Sequence, residues 1–154
     1  MQPPWVRIGE ANFAVGSEYA ALSAVANAGA VVTFAGLVRQ QGEQGDLLAL
    51  ELEHYPGMTE ASIAGIVEEA QQRWPLLAVR VIHRVGRLLP GDNIVFVGVA
   101  ASHRAAAFAA AEFIMDYLKT RAPFWKKEIT AAGEYWVEQK HSDVSAGLRW
   151  QVCE

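Results

Sequence analysis

LPGDNIVFVGVAAS, residues 89–102, carries the strongest structural signals in the chain. Its first five residues hold a proline, a glycine, an aspartate and an asparagine, and they predict a tight turn. Residues 94–101 are almost continuously apolar, which predicts a strand buried on both faces. Ser102 is suited to cap a helix, and a long apolar helix is predicted after it, ending at Pro123. One central strand and the helix that follows it should therefore organise the fold.

The remaining segments alternate between strand and helix patterns. Further strands are predicted over residues 6–8, 30–38, 47–55 and 79–85, helices over residues 16–28 and 60–74, with Thr59 as N-cap of the second, and a hairpin over residues 124–130 and 135–138. Residues 39–46 contain two glycines and no large apolar residue, so a mobile loop is expected there. Because short turns join several neighbouring strands, the sheet should be mainly antiparallel and the fold class α+β.

Composition bounds the class of protein. The 154 residues suit a single domain spanning the chain, with a flexible tail over residues 139–154. Apolar residues make up 52% and the net charge is −4, which indicates a globular protein and argues against a general nucleic-acid binder. There is no membrane-length apolar run and no signal-peptide pattern, so a cytoplasmic protein is expected. The single cysteine, Cys153, excludes an internal disulfide framework and a cysteine-based sulfur relay within the chain.

Cationic side chains are concentrated around the predicted long helix. FIMDYLKTRAPFWKK, residues 113–127, ends that helix with Lys119 and Arg121 and continues into Lys126 and Lys127. His103 and Arg104 stand at the start of the same helix, where the helix dipole disfavours positive charge unless an anion is bound. In a net-acidic protein this concentration predicts an anion-binding site. No metal-ligand spacing, phosphate-binding glycine loop or dinucleotide fingerprint is present in the sequence.

Each candidate has an ordinary alternative. His103 and Arg104 could splay into solvent, and Lys119 could simply complement a helix C-terminus rather than supply a desolvated amine for base or nucleophile chemistry. Arg39 follows a strand, where both ligand-binding and surface arginines are common. Lys126 and Lys127 point to opposite faces of one strand, and periodicity does not choose between them. The two strand histidines, His54 and His83, are more typical of hydrogen-bonded core residues than of ligands.

Several blocks together closely resemble the catalytic, large subunit of molybdopterin synthase. The blocks are LEHYPGMTE (52–60), RWPL (73–76), VIHRVG (81–86), PGDNIVFVGV (90–99), SHR (102–104) and FIMDYLKTRAPFWKKE (113–128). The resemblance extends from about Phe13 to Trp150 and is weakest over residues 40–46. It implies an α/β hammerhead-type fold with an additional antiparallel subsheet, which the residue patterns alone do not give.

The resemblance also implies a reaction and its partners. The family converts cyclic pyranopterin monophosphate (precursor Z) into molybdopterin, using two sulfurs delivered as a thiocarboxylate on the C-terminal glycine of a small ubiquitin-like subunit. It forms a heterotetramer around a homodimer of large subunits. No cofactor is implied, because the partner supplies the sulfur, and neither nucleic acid nor membrane is expected as a partner, in line with the net charge and the lack of a membrane-length apolar run.

The family's site residues match positions of this sequence. Lys119 and Lys126 match catalytic lysines, which selects Lys126 over Lys127. His103, Arg104 and Arg39 match substrate-pocket positions, with Arg39 a candidate for reaching the neighbouring subunit's site. Met115, one turn before Lys119, is included among the expected substrate-binding residues.

The expected roles follow from side-chain chemistry. Lys119 would lie near the thiocarboxylate carbon as base, cation or site of a transient acyl linkage, and Lys126 would stabilise developing negative charge. His103 would carry protons, while Arg104 and Arg39 would hold phosphate or pterin. The alternatives are a non-catalytic α+β module that binds an anionic metabolite or protein tail and, with less support, a small phosphohydrolase.

Overall fold

The described residues form two main sheets of four strands each. The one with more strand residues, called the larger sheet, contains the predicted central strand. The computed structural model of the chain describes residues 4–137, 141–148 and 150–151. The larger sheet has four strands in the order β1 (Trp5–Gly9), β6 (Leu76–Arg84), β8 (Asn93–Ala101) and β2 (Ala30–Leu37). β1 and β6 are parallel, whereas β8 pairs antiparallel with both β6 and β2. β8 is buried from Val95 to Ala101, which confirms that the apolar run is a strand covered on both faces.

Three helices cover the two faces of this sheet. α3 (Arg104–Leu118) packs on β8 and β2, and α2 (Met58–Arg73) packs on α3 and β1. α1 (Val15–Ser23) lies on the opposite face, where Leu22 joins a separate core cluster. The main core is therefore enclosed between the sheet and the α2–α3 pair. Burial of apolar surface in such a core is the main favourable contribution to folding.

A second sheet of four strands is wholly antiparallel. Its order is β10 (Gly133–Val137), β9 (Phe124–Thr130), β5 (Ala49–His54) and β7 (Gly86–Leu88). Between β2 and β5 lies a small hairpin of β3 (Gln41–Gly42) and β4 (Gly45–Asp46), within the segment predicted as a loop. The α+β class and the mainly antiparallel pairing are confirmed, with an additional antiparallel sheet as expected.

Of residues 139–154, expected to be a flexible tail, the described residues 141–148 and 150–151 pack against the rest of the fold, and the others lie outside the described residues. α4 (His141–Leu148) packs against α3, and Trp150 then contacts Trp74 and Phe113 edge-on at 5.6 Å and 5.5 Å between ring centroids. The Trp150 indole N–H donates to Asp116 Oδ2 at 2.6 Å. An aromatic anchor with a satisfied polar tip explains why this polar segment docks. Cys153 lies outside the described residues.

Two helix caps predicted from sequence are wrong. Gly57, not Thr59, precedes α2, and His103, not Ser102, precedes α3. Thr59 is fully buried instead: its hydroxyl oxygen accepts from the Tyr55 N–H and its O–H donates to the Pro123 carbonyl, which joins α2 to the start of β9. None of the helices in the described residues is both long enough and apolar enough to cross a membrane.

Candidate functional site

A cavity of about 630 Å³ lies where the C-terminal end of α3 meets the second sheet and the end of β2. Its walls combine apolar side chains of both sheets with charged and polar side chains that come from distant parts of the sequence. The latter include Arg39, His83, Lys119, Lys126 and Glu128. A cavity of this size, with polar groups on an apolar wall, suits a small-molecule ligand.

Lys119 and Lys126 line this same cavity. Lys119 is the C-cap residue of α3, and its backbone N–H donates to the Met115 carbonyl at 3.3 Å. Lys126 is a partly buried residue of β9, opposite Leu52 of β5. The fold thus brings the end of a helix and a strand together, so that two lysines line one cavity.

Lys127 has different surroundings from its neighbour. Its ammonium lies 3.2 Å from Glu134, 3.7 Å from Glu51 and 5.0 Å from the centre of the Trp136 ring. The hydrogen bond to Glu134 raises the pKa of Lys127 above its ordinary value. Strand alternation therefore turns Lys126 to the cavity and Lys127 to a surface ion-pair cluster. Arg121 is also engaged elsewhere, at 2.6 Å from Glu69.

Arg39 reaches the cavity from the end of β2, directly before the β3–β4 hairpin. The hairpin is attached to the second sheet by Glu128, which is only 3% exposed and accepts the backbone N–H of Glu43 at 2.8 Å. Sequence reasoning missed Glu128. Its spacing of two residues from Lys126 was the available signal, because it places both side chains on one face of β9.

His83 is a second residue of the cavity wall that sequence reasoning did not select. Its ring stacks on Phe124, with centroids 3.8 Å apart and an angle of 19° between planes. Its Nδ1 lies 2.8 Å from the Arg84 carbonyl oxygen. Burial lowers the pKa of His83 to about 4, and the nearby charge of Lys119 acts in the same direction. The side chain is therefore uncharged at neutral pH.

His103 and Arg104 do not line the cavity in a single copy of the chain. They stand at the opposite end of α3, which spans 15 residues and is about 22 Å long. Both are exposed, and the His103 side chain makes no capping hydrogen bond. Met115 packs against the main core and is not part of the cavity lining. The substrate roles expected of these three residues stay predictions.

The types of side chain in the described residues indicate what the site can bind. Within residues 4–137, 141–148 and 150–151, no three His, Cys, Asp or Glu side chains are grouped closely enough to hold a metal ion. The cations of the cavity, by contrast, are suited to binding an anion and to stabilising negative charge that develops on a reacting group.

Comparison with known proteins gives consistent results at the level of sequence and structure. The MoaE protein family matches residues 8–121. A molybdopterin synthase catalytic subunit from Yersinia pestis is 57% identical over 150 residues, covering 97% of this chain and 99% of that protein. A solved MoaE protein from Burkholderia ambifaria superposes with a TM-score of 0.82 at 50% identity, covering 96% of this chain and 98% of the other. Molybdopterin synthase from Staphylococcus aureus gives a TM-score of 0.77 at 30% identity, covering 85% and 95%.

Proposed function

The chain belongs to the MoaE family of molybdopterin synthase catalytic subunits, and we propose that it converts cyclic pyranopterin monophosphate into molybdopterin by transfer of two sulfurs. The observation that carries the proposal is the convergence of Lys119, Lys126 and Arg39 on one cavity. The sulfur comes from the thiocarboxylated C-terminus of a small ubiquitin-like subunit, so the chain needs no resident cofactor. We place the reaction in the cytoplasm.

Lys119 and Lys126 have different catalytic roles, because they approach the cavity from different elements. Lys119 stands at a helix end beside the cavity, where its amine can approach the acyl carbon of the incoming thiocarboxylate as base, cation or acyl acceptor. Lys126 projects from a rigid strand and stabilises the negative charge that develops as sulfur adds to the substrate. Arg39 binds the phosphate or the pterin through its planar guanidinium group.

An exposed aromatic patch beside the cavity provides a route for the partner's tail. Trp125 lines both the cavity and a shallower hollow of about 420 Å³, which is also bordered by Tyr55 and Trp136. These three aromatic side chains are 46%, 54% and 60% exposed, respectively. Exposed aromatic patches mark protein-binding surfaces. We assign this patch to the small subunit, whose C-terminal glycine would then enter the adjoining cavity.

A homodimer would complete the site. β2 is an edge strand of the larger sheet, and its Phe34 and Leu37 are 42% and 54% exposed. In a two-fold assembly that pairs this edge about an axis perpendicular to the strand, the two copies of β2 run in opposite directions. Ser102, directly before His103, packs against Gly29 at the start of β2, whereas Arg39 follows its end. Such an assembly would bring His103 and Arg104 of one protomer towards the cavity of the other.

The catalytic assignment is tested with the lysine variants. Lys119→Ala should abolish dithiolene formation from purified cyclic pyranopterin monophosphate and thiocarboxylated small subunit, and Lys126→Ala should reduce it by about 100-fold, the usual effect of removing one preorganised charge. Lys127→Ala is the matched control, because its ion pairs lie on the surface; turnover should stay near normal at saturating small subunit, which offsets any change at the neighbouring Trp136. Near-normal turnover by a folded Lys119→Ala protein would remove this residue from the mechanism. Anion binding without any product from the unmodified protein would instead support the non-catalytic module.

The shared site is tested by mixing two inactive proteins. One carries Lys119→Ala, and the other carries His103→Ala together with Arg104→Ala. A hybrid dimer has one cavity with all three residues intact, so random exchange should restore about a quarter of the normal activity per protomer. If the two ends of α3 serve the same chain, no mixture will exceed the activity of its components.

A further inference from the structure

We propose that His83 is a substrate-recognition residue of the cavity, whose Nε2 accepts a hydrogen bond from a ring N–H group of the bound pterin. This inference rests on the function proposed above and adds a residue and a specificity to it. The cations of the cavity recognise the phosphate, whereas a neutral acceptor would recognise the heterocycle.

The hydrogen bond at the other ring nitrogen settles which atom can accept. The Arg84 carbonyl oxygen has no proton to donate, so the 2.8 Å contact requires that His83 Nδ1 carry the hydrogen. In the neutral ring Nε2 then has an available lone pair. Among the described residues no hydrogen-bond partner of Nε2 is present, although His83 lines the cavity. The acceptor is thus available to a ligand.

The ring is held rigidly in this orientation. The stacking on Phe124, at 3.8 Å and 19°, fixes the plane of the imidazole, and the backbone hydrogen bond fixes its rotation within that plane. Phe124 itself begins β9, the strand that carries Lys126. The acceptor and the catalytic amine are therefore positioned by neighbouring parts of one structural unit, which is the usual way to preorganise a binding site.

The charges around His83 keep it an acceptor. Lys119 beyond the end of α3 and His54 on β5 both disfavour its protonation, and Lys126 and Glu128 of β9 share the cavity wall. Glu128 is already engaged with the Glu43 N–H. A pterin presents several N–H donors, which the cations cannot accept. His83 supplies the complementary group.

Three substitutions separate recognition from structure. His83→Asn can keep a donor to the Arg84 carbonyl but has no acceptor at the Nε2 position, whereas His83→Gln can place its amide oxygen there. His83→Phe keeps the stacking on Phe124 and removes both nitrogens. Each variant is assayed for kcat and KM with cyclic pyranopterin monophosphate and the thiocarboxylated subunit, for precursor binding by calorimetry, and for its melting temperature.

We expect KM and the precursor Kd to rise about three- to tenfold in His83→Asn and His83→Phe, the effect of one lost hydrogen bond, with kcat changed less than twofold. His83→Gln should restore both constants to within about threefold of normal. Normal affinity in a folded His83→Asn protein would overturn the proposal. So would an equal loss in Asn and Gln variants that tracks a lower melting temperature, because a purely structural role predicts no rescue. Failure of the unmodified protein to form product would refute the proposed function instead.

Discussion

Lys126 and Lys127 are adjacent in sequence and have opposite surroundings. The alternation of β9 could be predicted from sequence, but not the face that meets the cavity, because that depends on pairing with β5 more than 70 residues earlier in the chain. His83 shows the same limit. Its strand was predicted, whereas its ring geometry depends on Phe124, which is 41 residues away. Local patterns give side-chain direction, and long-range pairing gives chemical environment.

His83 should make the folded protein sensitive to acid. Its pKa is 6.5 in the unfolded chain and about 4 in the fold, so between these values only the unfolded state takes up the proton. The stabilising effect of the neutral ring is complete above about pH 6.5 and is lost as the pH falls to 4, by at most about 3 kcal/mol. His83→Gln should therefore flatten the fall in the free energy of unfolding over this interval, as measured by urea denaturation at a series of pH values. Parallel curves for the two proteins from pH 7 to pH 4 would contradict this assignment.

Among the secondary-structure elements, the β3–β4 hairpin is one whose contacts could not be predicted from the sequence. Two glycines and no large apolar residue predicted a mobile loop over residues 39–46, yet Glu128 anchors the hairpin from a strand 85 residues away. Gly42 lies so close to this carboxylate that an added Cβ would overlap it. A buried acid on a remote strand leaves no trace in the local pattern. By contrast, the apolar helices and the central strand were predictable, because the spacing of apolar residues within each segment indicates which residues are buried.

Gly42→Ala should displace the Glu128 carboxylate and loosen the hairpin that follows Arg39. We expect a loss of about 1 kcal/mol in the free energy of unfolding, comparable to one hydrogen bond, and a larger KM for the cyclic phosphate. Gly65→Ala in α2 is the matched control, because nothing lies within 4 Å of its added methyl group. The control should gain about 0.5–1 kcal/mol through its higher helix propensity. Equal behaviour of the two variants in both assays would show that the contact at Gly42 has no role.

For the molecule as a whole, the α+β class and most element positions were predictable from residue patterns, whereas the division into two sheets was expected only from the family resemblance. That division depends on which strands pair, and it creates the cavity at the junction of the two sheets. The docking of the C-terminal segment was also missed. Its anchor, Trp150, is a single aromatic residue in a polar context and reaches partners on α3 and at the end of α2.

Trp150→Ala should destabilise the whole fold by about 2–3 kcal/mol, slightly below the usual range for a fully buried aromatic residue because Trp150 is only partly buried. The loss combines its contacts with Trp74 and Phe113 and its hydrogen bond to Asp116. The midpoint and slope of urea denaturation measure it. Trp136→Ala, at a side chain that is 60% exposed, is the control and should change the free energy of unfolding by less than about 1 kcal/mol. A similar change in both variants would mean that Trp150 contributes no more than a surface residue.

The length of α3 has a consequence for how the enzyme behaves on dilution. A rigid rod of 15 residues holds its basic start and its lysine end apart, so one protomer cannot close both around the same small molecule. Under the two-fold arrangement, dissociation would split every site at once, and specific activity would decline steeply at low protein concentration rather than by half. Saturating cyclic pyranopterin monophosphate would oppose that decline, because a ligand that binds only the assembled dimer shifts the equilibrium towards it.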